Sequence, residues 1–234
     1  MLSLTETLCS HILRVLILAR IKVRKALILH DLGHDDKAMT EVDEAEMMLS
    51  LSECQDDAAE VDNAKANIVL SSGHNRKRDQ EQILFRLDRC INRCEKATVD
   101  KSASIAQVTL RKALVHLGFY QHGILEDVAR SDVDIAETVL NRISPMTLTK
   151  RSKIYFTYAQ SLLAYRKRDT DTAMKLEQKA RKKCEFHDLY DQIQQLDLLR
   201  SLIRQRPKAT ALHGLFSILF LVLLCISIAL IILQ

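Results

Sequence analysis

Apolar side chains recur along this chain three and four residues apart, the spacing of a helix face, and almost nowhere in the strict alternation of a half-buried strand. Turn signals at Gly33, at Gly73 to Asn75, at Gly123 and at Asp169 divide that pattern into helix pairs. The predicted pairs run over about 5–30 with 35–50, 54–72 with 79–98, 103–121 with 125–142, and 149–167 with 170–184. A final helix over about 187–205 carries Leu189, Ile193, Leu196, Leu199 and Ile203 on one stripe and is placed to cap the stack. Pro207 stops it, since proline lacks the N–H that the next turn needs. The remaining pattern is different in kind. Gly214 to Leu233 contains no charge, and its only polar side chains are Ser217 and Ser227, with Cys225 between them. At about 1.5 Å rise per residue such a helix is roughly 30 Å long, the thickness of a bilayer's hydrocarbon core.

That last stretch sets an expected organisation of three parts: a helical cytosolic domain over 1–205, a basic, proline-containing linker over 206–213, and a transmembrane tail anchor over 214–233. Arg200, Arg204, Arg206 and Lys208 flank the span on one side, and only Gln234 follows it on the other. The positive-inside bias then expects a single-pass membrane protein with its N-terminal domain in the cytosol and a lipid bilayer as partner of 214–233. A long, strongly apolar tail ending in neutral Gln234 favours the endoplasmic reticulum or a later secretory compartment over the mitochondrial outer membrane. A cleaved lipid-anchor signal would need secretory entry. The N-terminus gives no clear signal for it: Leu13 to Ala19 is apolar, but Glu6 precedes it and Arg14 interrupts it. A mitochondrial presequence is the weaker rival, because the same residues fit a first helix of the repeating pattern.

Composition agrees with an all-α class: two prolines, five glycines and no tryptophan accompany abundant Leu, Ala, Lys, Glu and Arg. Six scattered cysteines suit a reducing compartment better than a disulfide framework. Charge changes the picture more. Residues 31–62 hold twelve acids against Lys37, whereas residues 150–183 hold eleven Lys or Arg against Asp169, Asp171 and Glu177. Two explanations stand: attraction of the basic half to an anionic leaflet, worth about 1 kcal/mol per residue held there, or ordinary solvated helix faces.

Small residues seven apart supply the repeat signal. Ala38 and Ala45, Ala129 and Ala136, and Ala173 and Ala180 each follow a turn, and Cys90 with Ala97 makes a fourth pair. Seven residues are two helical turns, so each pair shares a face on which a neighbouring helix can approach closely. RKALI at 24–28 recurs as RKALV at 111–115. The pattern resembles the tetratricopeptide repeat, best in LGHDDKA (32–38) followed by Ala45 and in RKRDTDTA (166–173) followed by Ala180. The resemblance covers about residues 12–183 and implies a short solenoid of antiparallel helix pairs that binds a protein partner. It departs from the family in its spacing, 52, 39 and 44 residues between first small positions against the usual period of about 34. The family's chaperone-tail clamp would call for Lys and Asn at Val23 and Leu27, or at Tyr158 and Leu162, and none of these fits.

Candidate chemistry is sparse. His30 and His34 stand four apart, a metal-ligand spacing, but the turn expected at Gly33 spoils it, and a helix C-terminus favours His in any case. Cys90 and Cys94 share a face without a second pair to complete a tetrahedral site, which reads as packing. No phosphate loop, nucleophile elbow or HExxH occurs, so no enzyme, no metal and no cofactor is expected. The aromatic and basic stretch 151–168 is the surface candidate for a partner: Tyr155, Tyr158, Tyr165, Arg166, Lys167 and Arg168. Aromatics beside cations also bind single-stranded RNA, the lesser reading of this stretch, and a nucleic-acid partner is not expected.

Two other classes compete. A Bcl-2-like tail-anchored bundle regulating membrane integrity shares the size, and LHDLGHD (29–35) resembles one of its homology motifs, yet no Trp and no Asn-Trp-Gly-Arg segment is present. A SNARE-like coil would start at Ala173, Leu176 and Ala180, but Lys183 and His187 then occupy the seam. The expectation is therefore a tail-anchored helical-repeat adaptor that holds a protein partner at a cytosol-facing membrane.

Overall fold

The computed structural model describes residues 4–50, 54–72, 76–97, 99–120, 123–189 and 192–205. The helical spacing of the sequence is realised as α1 (Leu4–Asp31), α2 (Asp35–Leu49), α3 (Gln55–Ser72), α4 (Arg76–Glu95), α5 (Ser102–His116), α6 (Arg130–Asn141), α7 (Lys150–Arg166), α8 (Thr170–Phe186) and α9 (Ile193–Gln205). Antiparallel partners α1–α2, α3–α4, α5–α6 and α7–α8 pack tightly, and each pair joins the next through α2–α3, α4–α5 and α6–α7. First helices also meet across pairs, α1 with α3 and α5 with α7. The all-α class and the antiparallel pairing follow the expectation.

The turns that close α1 and α7 share one backbone solution. Gly33 takes a φ of +78° as its N–H bonds the His30 carbonyl, and the His34 N–H reaches back to the Leu29 carbonyl at 2.8 Å. Arg168 does the same at φ +68°, with the Asp169 N–H on the Ala164 carbonyl at 3.0 Å. A left-handed residue at this point satisfies the orphan carbonyls of the last turn. The Asp169 carboxylate then accepts the Thr172 N–H at 3.0 Å and starts α8, and that bond holds its pKa below the ordinary value.

The small-residue pairs are half right. Ala38 with Ala45 and Ala173 with Ala180 are fully buried at helix crossings. Ala129, however, lies outside α6 in extended backbone and is exposed, so Val133, Ala136 and Leu140 make that inner face. Ala97 lies beyond the end of α4, whose buried stripe is Ile83, Leu87, Cys90 and Cys94. The expectation of no strands is corrected too. Phe119–Tyr120 pairs antiparallel with Gly123–Ile124 between α5 and α6, two residues each, too short to leave a period-2 signature. The core divides into three clusters: α1 to α3 around Val42 and Ile68, α3 to α5 around Ile83 and Leu87, and α5 to α9 around Leu117, Leu162 and Leu199.

The expected C-terminal transmembrane helix, and the single-pass membrane localisation in the endoplasmic reticulum or secretory pathway that rested on it, are corrected. Among the described residues no helix is long and apolar enough to cross a membrane. The reason is charge. The longest, α1 with 28 residues, contains Glu6, Arg14, Arg20, Lys22, Arg24, Lys25 and Asp31, each costly in hydrocarbon. The stretch 214–233 and the linker 206–213 lie outside the described residues.

Gly118 fixes the hairpin. Its φ is +79°, and an added Cβ would stand 2.7 Å from Val128 Cγ2, 3.0 Å from Leu125 Cβ and 3.1 Å from Arg166 Nη2. Gly33 has the same left-handed backbone but nothing within 4 Å. Gly33→Ala is therefore expected to lose only the left-handed backbone preference, about 1 kcal/mol, whereas Gly118→Ala adds a clash and loses about 3 kcal/mol. Urea denaturation of the two variants side by side measures the difference.

Candidate functional site

The aromatic and basic stretch on α7 is engaged internally. Tyr158 is buried, its ring edge-on to Phe119 with centroids 5.6 Å apart, and its hydroxyl has no hydrogen-bond partner among the described residues. Burial pushes that phenol well above its ordinary pKa. Arg166 donates to three carbonyls of the hairpin and its exit, Leu117 at 3.1 Å, Glu126 at 2.8 Å and Leu125, so its charge is absorbed by backbone dipoles. Its guanidinium also lies 5.7 Å from the Tyr165 ring centroid. Tyr165 and Tyr155 are half-buried against the α5-to-α9 core. Lys167 pairs with Glu137 on α6, and Arg168 is the exposed left-handed turn residue. The stretch binds α7 to the rest of the stack and does not form one open surface. Of the basic residues before the apolar tail, Arg200 donates to buried Glu177 at 2.8 Å, Arg204 is exposed, and Arg206 and Lys208 lie outside the described residues.

Most acids of the run 31–62 that the structure describes are answered by cations on neighbouring helices. Asp62, fully buried on α3, faces Arg86 at 3.2 Å, Arg89 at 3.4 Å and Arg93 at 2.9 Å, one stripe of α4. Glu46 of α2 takes Arg86 at 2.7 Å and Lys65. On α1, Arg20 grips Asp57 at 2.6 Å and Lys22 reaches Glu41 at 3.0 Å. Buried ions need such partners because their desolvation is costly. Against its own burial, the ammonium of Lys65 and the guanidinium of Arg86 hold the Glu46 carboxyl at about 2, down from 4.5.

A cleft of about 200 Å³ opens between α3 and α5, with α1 on one side and α4 at its floor. It exists because the facing stripes carry short or polar side chains: Ala59, Asn63 and Asn67 on α3, and Ser104, Gln107 and Arg111 on α5. The spacings, four and four, then three and four, keep each set on one helix face. The charges in it do not balance. Lys101 Nζ sits 3.4 Å from Asp56 and Arg24 lies 3.8 Å from Glu60, which accounts for both acids. Arg111 is left. It donates to the Asn63 side-chain oxygen, and among the described residues no carboxylate pairs with it. Half-buried by exposure, its guanidinium lies deep enough for desolvation to pull its pKa below the ordinary value.

The cleft's thiols are held in the protonated form. Burial pushes Cys90 up to about 12, and Cys94 beside it is also raised, so neither carries a useful thiolate fraction near neutral pH. His30, the other candidate ligand, bonds Asp35 at 2.7 Å across the Gly33 turn, while His34 is exposed before α2. Among the described residues no group of three His, Cys, Asp or Glu side chains could hold a metal.

The one trace of this cleft along the chain is the doubled RKAL. It sets Arg24 on α1 and Arg111 on α5 at equivalent positions, and both line the cleft. No protein-family model matches the chain, and no curated protein or solved structure matches it.

Two consequences are measurable. Arg111→Met removes an uncompensated buried charge while keeping the stem, so it is expected to raise stability by about 1–2 kcal/mol in urea denaturation, the reverse of an ordinary core substitution. The lowered pKa of Glu46 means that its stabilisation is present above its unfolded value near 4.5 and disappears as pH falls through about 2. The urea midpoint of the parent should fall across that window, and Glu46→Gln should flatten the fall.

Proposed function

We propose that this chain is a helical-repeat adaptor whose activity is to bind a protein partner in the cleft between α3 and α5. The observation that carries the reading is Arg111, a desolvated guanidinium with five donors and, among the described residues, no carboxylate of its own. Taking an acidic side chain or a C-terminal carboxylate from a partner supplies the missing counter-charge in a site that water already leaves partly, which favours a tight pair. Asn67 and Gln107, on opposite walls, each offer an amide donor and acceptor, a match for the peptide units of an extended segment. Apolar Val23, Leu27 and Val108 line the same cleft and suit an aliphatic neighbour of that acid.

Pools of fluorescent decapeptides carrying Glu, Gln or a free C-terminal carboxylate at a fixed position test this by anisotropy. The acidic pools are expected to bind, and Arg111→Gln to weaken them at least tenfold, about 1.4 kcal/mol, with the helical circular dichroism unchanged. Equal binding of the Gln pool, or affinity indifferent to Arg111, sinks the reading.

A further inference from the structure

The inner face of α1 is as expected: Ala19, Val23 and Ala26 are buried against α2 and α3. Directly opposite, Ile17, Ile21 and Ile28 fall on one line of the helix, with Leu13 and Leu18 at its edges. All five are between 46% and 60% exposed. A helix face that meets only water is ordinarily polar. At that exposure the five side chains present roughly 500 Å² of apolar surface, or about 1,000 Å² across a pair of copies, the lower bound for a specific interface before its polar rim is added.

We propose that this face of α1 is a homodimer interface, in which α1 of a second copy packs antiparallel across a two-fold axis. Charge selects this occupant. Four of the cations bordering the stripe are already neutralised within the chain: Arg20 by Asp57, Lys22 and Lys25 by Glu41, and Arg24 by Glu60. They offer little to an acidic partner and little repulsion to a second copy. A two-fold that sets Ile17 against Ile28 of the second copy uses the register in which paired numbers sum to 45, as 17 and 28 do. The same register sets exposed Arg14 against exposed Asp31, twice over, and lays the aliphatic stem of Arg24 over Ile21. An apolar line closed at both ends by opposite charges is self-complementary only when antiparallel.

The photo-reactive residue p-benzoylphenylalanine at position 21 of the full chain reports what covers the stripe. The expected product is a covalent homodimer whose cross-link maps within residues 20–28 of the second copy, lost in the Ile17→Glu, Ile28→Glu double variant. Arg14→Glu should reduce it several-fold, and Arg14→Glu combined with Asp31→Arg should restore it. A product joining position 21 to residues 206–234 or to a different protein overturns the proposal. So does the absence of a homodimer, or a charge reversal that Asp31→Arg fails to rescue. Circular dichroism of each variant separates these results from unfolding, because all the substituted side chains are exposed.

Discussion

Everything in this fold depends on how closely two helices can lie. Alanines at the crossings, Ala38 and Ala45 in one pair and Ala173 and Ala180 in another, remove the side chains that would hold the backbones apart. Ala19 and Ala26 on α1 and Ala113 on α5 do the same for the first helices. With few large aromatics to fill gaps, burial comes from many small contacts at short range, and density replaces bulk. Long side chains are then displaced to the edges of each crossing, where their charged ends meet. The ion pairs of α1 with α2, of α3 with α4 and of α8 with α9 all lie at such edges.

That displacement organises the charge. An acidic run and a basic run separated by roughly a hundred residues look unbalanced along the chain, but in space most acids are answered locally. Asp62 under three arginines and Glu177 between Arg181 and Arg200 are the extremes, carboxylates wholly withdrawn from water and held by bordering cations. Removing one partner of such a group costs far more than its net contribution, because a bare ion is left behind. Arg111 departs from that rule. In a molecule that pairs its desolvated charges, this one has only an amide for company, and the proposed partner would supply its counter-charge.

The interface proposed on α1 and the cleft behind it use different apolar faces of one helix and meet at Arg24, which lines the cleft and borders the stripe. Val23 and Leu27 reach the cleft, and Ile17, Ile21 and Ile28 look the other way. A dimer formed across the outer face would present two clefts on a common axis. A partner carrying two acidic segments would then bind with an advantage set by their spacing.

Much of the architecture was legible in the residues themselves. Helical periodicity, scarce glycine and proline, and turn residues at Gly33 and Asp169 determined the order of the helices among the described residues and most of their limits, the hairpin between α5 and α6 excepted, because these are local properties of a chain. The alanine spacing marked true crossings where it lay inside a helix, at Ala38 with Ala45 and Ala173 with Ala180. It failed at Ala129 and Ala97, since two residues seven apart share a face only if the helix spans both. The apolar run 214–233 carried a helical length and nothing about its place in the fold, and it lies outside the described residues. What tertiary structure alone decided is which polar groups are left over. Tyr158 and Arg166 looked available and are committed to the core and to three carbonyls. Arg111 looked like one cation among many, and among the described residues no carboxylate answers it. A charge is paired or unpaired according to what stands beside it in space. Arg166 finds its carbonyls 40 to 49 residues away, a separation over which no local pattern carries information.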